Sequence, residues 1–221
     1  MNIAQNLDEV RSRIAAACAR SGRSTEDVKL LAVTKSVDVS AIESLSALGV
    51  RCFGENRVDQ AVQRLQQYPE FEWHLIGTLQ TNKAQHCRGF ALIHSLDRES
   101  LAKRMDRLAD SWGASLDMLL QANVSGEESK HGLAPDAIEA FADLVLQRYP
   151  RIRIQGLMTM APLVAPEDTR PCFRRLKALQ QRLQSSTGLG LDILSMGMTN
   201  DYEVAIEEGA TLVRVGSALF S

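Results

Sequence analysis

The stretch VKLLAVTK (28–35) sets the first constraint on the fold: an apolar run too short for a stable helix, ending in Lys35. Strands that are apolar on both faces belong to parallel sheets, where helical crossovers cover them on either side. A lysine at the end of such a strand is costly to bury, so it either snorkels to water or belongs to a site. Seven further runs have the same character: RCFGEN (51–56), EWHLIG (72–77), LIHSLD (92–97), LDMLLQANV (116–124), IRIQGLMTM (152–160), DILSMGM (192–198) and LVRVG (212–216). Helical patterns separate them. Leu101, Met105, Leu108 and Trp112 share a face over 98–113. Ile138, Phe141, Leu144 and Val145 do so between Pro135 and Pro150, and Phe173, Leu176, Leu179 and Leu183 over 168–184. Ahead of them, Ile3, Leu7, Val10, Ile14 and Ala17 recur at helical spacing until Gly22. Eight βα units in 221 residues predict an α/β fold, a single-domain (β/α)8 TIM barrel over 28–221 with an extra N-terminal helix over 1–22. An open doubly wound sheet is the structural alternative.

Composition narrows the function classes. Apolar residues make up 45% of the chain, charged residues 24%, and the net charge of -2 argues against general affinity for nucleic acid. The apolar runs are too short to span a bilayer, and the acid-containing first helix lacks a signal-peptide core, so no membrane partner and a cytoplasmic location are expected. Cys18, Cys52, Cys87 and Cys172 lie far apart without a CxxC pair, which reads as reduced, packed thiols and predicts neither a metal site nor a disulfide frame.

In a parallel barrel, function collects where the strands end and the βα loops meet, which singles out Lys35, Asn56, His74, Met158 and Arg214. In the eighth run Leu212, Arg214 and Gly216 share a face by alternation, as do Cys52, Gly54 and Asn56 in the second. The segment SMGMTND (195–201) stands between a strand and the helix YEVAIEEG (202–209), and its backbone amides at a helix N-terminus favour an anion. Gly216 and Ser217 offer a second set of donors. The loops after strands seven and eight are the habitual phosphate site of this barrel. A lysine across the mouth from a phosphate cradle points to pyridoxal 5′-phosphate (PLP), whose aldehyde condenses with an amine to a Schiff base. The plainer readings are a snorkelling Lys35, an N-cap formed by Thr199 and Asp201, a packed His74 and core-filling methionines. Arg214, between apolar residues, demands a buried acceptor. The loop SGEESKHG (125–132) reads as solvated, or as a lid carrying Lys130.

The set AVTK with Lys35, FGEN, WHLIG followed by LQTNK, GLM, SMGMTND and VRVGSALF, in this order over nearly the whole chain, resembles the YggS/PROSC family of pyridoxal phosphate homeostasis proteins. The resemblance implies a barrel like the N-terminal domain of alanine racemase, with Lys35 as the Schiff-base lysine. It also implies phosphate anchoring by the segment from Ser195, chiefly Met198 and Thr199, and by Gly216 and Ser217. Arg214 is then placed near the pyridine nitrogen, and Asn56 and His74 around the cofactor. Thr78, Thr199 and Asn200 depart from the family's usual residues. A non-catalytic PLP carrier, with PLP-dependent apoenzymes as its recipients, is the expected function; a racemase-like enzyme or a Schiff-base aldolase is the alternative.

Overall fold

The computed structural model describes residues 2–127 and 131–221; Lys130 lies outside the described residues. All eight predicted strands form, each trimmed at its ends: β1 Lys29–Val33, β2 Cys52–Glu55, β3 Glu72–Leu75, β4 Leu92–Leu96, β5 Leu116–Gln121, β6 Ile152–Met158, β7 Ile193–Met198 and β8 Leu212–Val215. They pair in sequence order, every pair parallel, and β1 pairs with β8 from Lys29 opposite Leu212 to Ala32 opposite Val215. That last pairing closes the barrel and excludes the open sheet. Closure also removes both sheet edges, which leaves no unpaired ladder exposed.

Among the described residues eight α-helices surround it: α1 Ile3–Arg20, α2 Val39–Ala47, α3 Val58–Gln67, α4 Glu99–Ser111, α5 Ile138–Arg148, α6 Arg170–Thr187, α7 Tyr202–Glu207 and α8 Ser217–Phe220. The β3–β4 connection carries only a 3-10 segment, Thr81–His86, in which Ala84 alone is buried; a stretch so polar has no apolar stripe to hold a longer helix against the sheet. The last two helices are short, and α1 supplies the missing cover. Its stripe of Leu7, Val10, Ile14, Ala17 and Cys18 is buried against α7 and α8, and the Asn6 amide donates to the Leu219 and Ser221 carbonyls at 3.2 and 3.0 Å. Each such buried aliphatic side chain contributes about 1.5–3 kcal/mol, so α1 is part of the fold's stability and not an appendage.

Two kinds of core result from the alternation of strand residues. Side chains such as Phe53, Trp73, Leu75 and Phe173 pack between sheet and helices. Inside the barrel, Leu31, Cys52, Ile76 and Leu212 form one cluster, and Leu92, Leu119 and Met158 another. The four cysteines are all buried. Among the described residues no helix is long and apolar enough to cross a membrane.

Candidate functional site

The residues singled out from the sequence fall on neighbouring strands. Met158 is on β6, Ser195 to Thr199 on and after β7, Arg214 to Ser217 on and after β8, Lys35 after β1, Asn56 after β2 and His74 on β3. In a closed barrel these strands form one continuous arc. The two loops read as an anion cradle touch directly: the Gly216 amide donates to Thr199 Oγ1 at 3.4 Å. A Cβ built on Gly216 would lie 3.3 Å from the Val33 carbonyl oxygen, so the β8 turn rests against the end of β1, two residues before Lys35. Ser217 opens α8 and is exposed, and the first-turn amides of a helix have no partner within it.

The β7 turn depends on one glycine. Gly197 has φ of +89°, and a Cβ there would stand 2.6 Å from that of Ala205 and 2.9 Å from the Tyr202 Cα. Only glycine lets α7 pack this close to its own strand. The helix that Thr199 and Asp201 would cap has six residues, and the Asp201 carboxylate instead accepts from the Met198 amide at 2.6 Å, tightening the turn itself. Met198 ends β7 partly exposed, in register with Arg214.

Lys35 is not where the sequence put it. β1 stops at Val33, Thr34 takes the buried place at the strand end, and Lys35 stands exposed in the turn that follows. The desolvation cost raised by an apolar strand ending in lysine therefore does not arise in this conformation. What holds the turn is a pair of residues the sequence reading passed over. Glu55, fully buried at the end of β2, accepts from the Thr34 hydroxyl and from the Arg64 guanidinium, and Arg64, on α3, also donates to the Thr34 carbonyl at 2.6 Å and the Val37 carbonyl at 2.5 Å. The chain is thus gripped on both sides of Lys35. Burial raises the Glu55 carboxyl above its ordinary range, against the opposing pull of Thr34 and Arg64. A glutamate inside FGEN with an arginine nine residues on was the available signal. Asn56, next to Glu55, is half-buried, and its carbonyl leaves no space for a Cβ at Gly77.

Arg214 has the internal acceptors its burial requires, and they are neutral: Ser195 Oγ at 2.6 Å and the Thr159 carbonyl at 2.8 Å. Desolvation lowers its guanidinium to about 10, with Asp201 pulling the other way. From Ser195 a chain of contacts descends the barrel axis. Ser195 Oγ meets His94 Nδ1 at 3.0 Å, His94 Nε2 meets His74 Nδ1 at 3.0 Å, and His74 Nε2 meets Glu72 Oε1 at 2.8 Å. Arg214 can only donate and the Glu72 carboxylate can only accept, so with both imidazoles neutral every proton in the chain points from Arg214 toward Glu72. His74 therefore approaches the C-terminal mouth only through His94 and Ser195; its own position borders a cavity of about 250 Å³ at the opposite end of the barrel. His94, unremarked in LIHSLD, is fully buried, and it could have been sought as a polar residue alternating with apolar ones in a strand. Met158 fills the barrel against Leu92 and Leu119.

Both histidines are held below their ordinary value of 6.5, chiefly by burial, His94 far below it. Unfolding frees them to take up protons, so their contribution to stability is complete above about 6.5 and declines as pH falls below it. For His94 the loss approaches about 1.4 kcal/mol per pH unit, or roughly 3–5 °C in melting temperature for a chain of this size. His94→Gln is expected to flatten the melting-temperature profile between about pH 6.5 and 5; an unchanged slope would remove His94 as its source.

The chain matches the family described as "Alanine racemase, N-terminal domain" over residues 5–221, and it belongs to that family. Within it the chain is similar over its full length to the pyridoxal phosphate homeostasis proteins. That of Aquifex aeolicus is 42% identical over 100% of this chain and 98% of its own, and that of Escherichia coli K12 38% identical over 99% and 96%. Among solved structures, PipY of Synechococcus elongatus PCC7942 with PLP bound superposes with a TM-score of 0.82 at 36% identity, covering 96% of this chain and 100% of that one. Alanine racemase of Clostridium difficile 630 shares the fold, with a TM-score of 0.78 at 14% identity, over 99% of this chain and 56% of the racemase.

Proposed function

We propose that this chain is a pyridoxal phosphate homeostasis protein. It holds PLP at the C-terminal mouth of a barrel spanning 28–221, with 1–221 acting as one domain, and takes part in the cell's supply of that cofactor without turning over a substrate. The observation that carries the reading is the meeting, on one arc of the rim, of an accessible lysine and two amide-rich turns tied to each other through Thr199 and Gly216.

The donor set fits the group. An anionic phosphate is favoured by the first-turn amides of α8 and by the Thr199 and Ser217 hydroxyls. Arg214 carries a positive charge at the inner end of the same mouth with only neutral acceptors beneath it, which favours an unprotonated ring nitrogen. Bound PLP supplies an aldehyde, to which Lys35 Nζ bonds as a Schiff base with loss of water. Asn56, just after β2, and Met158, on β6, flank the site, and His74 acts through His94 and Ser195.

Carriage is favoured over catalysis by Arg214, because a cationic arginine opposite the ring nitrogen weakens the electron sink that racemisation uses. The homeostasis relatives are matched over nearly their whole length. An exposed lysine also suits a protein whose cofactor must leave again, with PLP-dependent apoenzymes as recipients. A cytoplasmic location is part of the same reading, the four cysteines being dispersed and buried.

Borohydride reduction of the PLP-loaded protein, followed by peptide mapping, tests the assignment. A single phosphopyridoxyl group on Lys35 is expected; modification of another lysine, or none, overturns it. The carrier reading also expects amino-acid α-proton exchange in deuterated water no faster than with free PLP. The anchor is tested separately by Thr199→Ala with Ser217→Ala. Loss of hydrogen bonds to a charged phosphate is worth about 1.5–3 kcal/mol each, so PLP retention should weaken roughly tenfold or more per site. Unchanged affinity would place the phosphate elsewhere.

A further inference from the structure

At the N-terminal end of the barrel, away from the rim described above, three potential metal ligands converge. Cys52 on β2, Glu72 at the start of β3 and His74 two residues on bring one ligand atom each within 4.8 Å of one another. Cys52 Sγ is 3.7 Å from His74 Nε2, and His74 Nε2 is 2.8 Å from Glu72 Oε1. A tetrahedral site with metal–sulfur and metal–nitrogen bonds of about 2.3 and 2.0 Å needs ligand separations of roughly 3.2–3.6 Å, so shifts of a few tenths of an ångström bring these two pairs into range.

Three independent features of the surroundings point the same way. The Nδ1 of His74 is held by His94, the kind of outer contact that orients a metal-bound imidazole. Glu72 and His74 line the cavity of about 250 Å³, and Glu72 and Cys52 line a second one of about 510 Å³, so the cluster is reached from solvent and has room for a water as fourth ligand. The third feature is that a cation already occupies the position: the Lys29 ammonium sits on Glu72 at 2.5 Å from Oε2, on a side chain half exposed and free to swing outward.

We propose that Cys52, Glu72 and His74 form a binding site for a thiophilic divalent cation of the zinc class at the N-terminal mouth of the barrel. Thiolate, imidazole and carboxylate together select that class over magnesium or calcium. On binding, Cys52 gives up its thiol proton to water, Lys29 is displaced from Glu72, and both histidines exchange tautomers. His74 Nε2 then faces the metal while its Nδ1 donates to His94 instead of accepting. The sequence expected no metal because no two of these ligands form a spacing motif with another cysteine; register places Cys52 directly beside Glu72.

Cobalt(II) is the probe, added to the full chain after chelator treatment and followed by difference absorbance. One equivalent is expected to bind with a thiolate-to-cobalt charge-transfer band. Cys52→Ser should abolish that band and leave the PLP absorbance of the loaded protein in place. Lys29→Met, which removes a competing charge at a half-exposed position, should tighten cobalt binding by about two- to fivefold. A wild-type protein without the thiolate band, a band that survives Cys52→Ser, or binding unmoved by Lys29→Met overturns the proposal. The cobalt band requires no PLP, so the outcome is independent of the cofactor assignment.

Discussion

Replacing Lys35 with alanine is expected to abolish the visible imine absorbance that the protein develops with PLP, while far-ultraviolet circular dichroism and melting temperature stay near those of the unaltered chain. The reason is positional. Lys35 is exposed in the turn after β1, and the buried work at that strand end is done by Thr34, so truncating the lysine removes a nucleophile and no packing. The stability change should lie within about 0.5 kcal/mol, the usual range for a surface site, whereas the covalent link to the aldehyde is lost entirely. A variant that keeps the full band with an intact fold would move the Schiff base to a different lysine and dismantle the proposed arrangement of the rim.

The second large effect is expected at Arg64. Arg64→Met leaves the buried Glu55 carboxylate without its cation and frees the Thr34 and Val37 carbonyls that flank Lys35. Removing one member of a buried pair typically costs 3–5 kcal/mol, which for a chain of this length corresponds to roughly 6–20 °C in melting temperature. The sign of its pH dependence follows from the raised Glu55 carboxyl. A carboxyl that binds its proton more tightly in the folded state stabilises the fold on the acid side and loses that contribution as pH rises through its folded value. The Arg64→Met deficit should therefore shrink toward acid pH, where Glu55 is neutral and needs no partner. Thermal melts at several pH values check this. PLP affinity should fall as well, because the turn that presents Lys35 is no longer held on both sides. A melting temperature within 2 °C of the unaltered chain's would show that the pair carries little of the load.

Local sequence determined a great deal. The eight apolar runs became eight strands, and the amphipathic stretches between them became α4, α5 and α6 within two or three residues of their predicted bounds, because strand and helix periodicity are written into neighbouring residues. The strand-end rule for Lys35 and Arg214, and the loop argument for Thr199, Gly216 and Ser217, gathered these residues onto one arc without any knowledge of distance. Where it failed, the failure is informative. Reading His74 as a strand-end residue gave it to the mouth, yet its polar partners are Glu72, on the same face of β3 by alternation, and His94, one strand over, a choice not expressed in the order of residues along β3. Placing Lys35 within the strand followed from the apolar run before it; the strand ended two residues early, where Thr34 finds an acceptor in Glu55, twenty-one positions away.

The sequence alone thus determined the number and order of βα units, and through them the barrel, since hydrophobic periodicity and turn chemistry act over a few residues at a time. Tertiary structure alone decided which polar side chains meet inside it: the clamp of Glu55 and Arg64, the line of contacts from Arg214 through Ser195, His94 and His74 to Glu72, and the closeness of Cys52 to both ends of that glutamate–histidine pair. Those meetings are set by parallel register and by closure of β8 on β1. In a barrel interior most buried polar groups are hydrogen-bonded, and here the partners come largely from other strands, far apart in the chain.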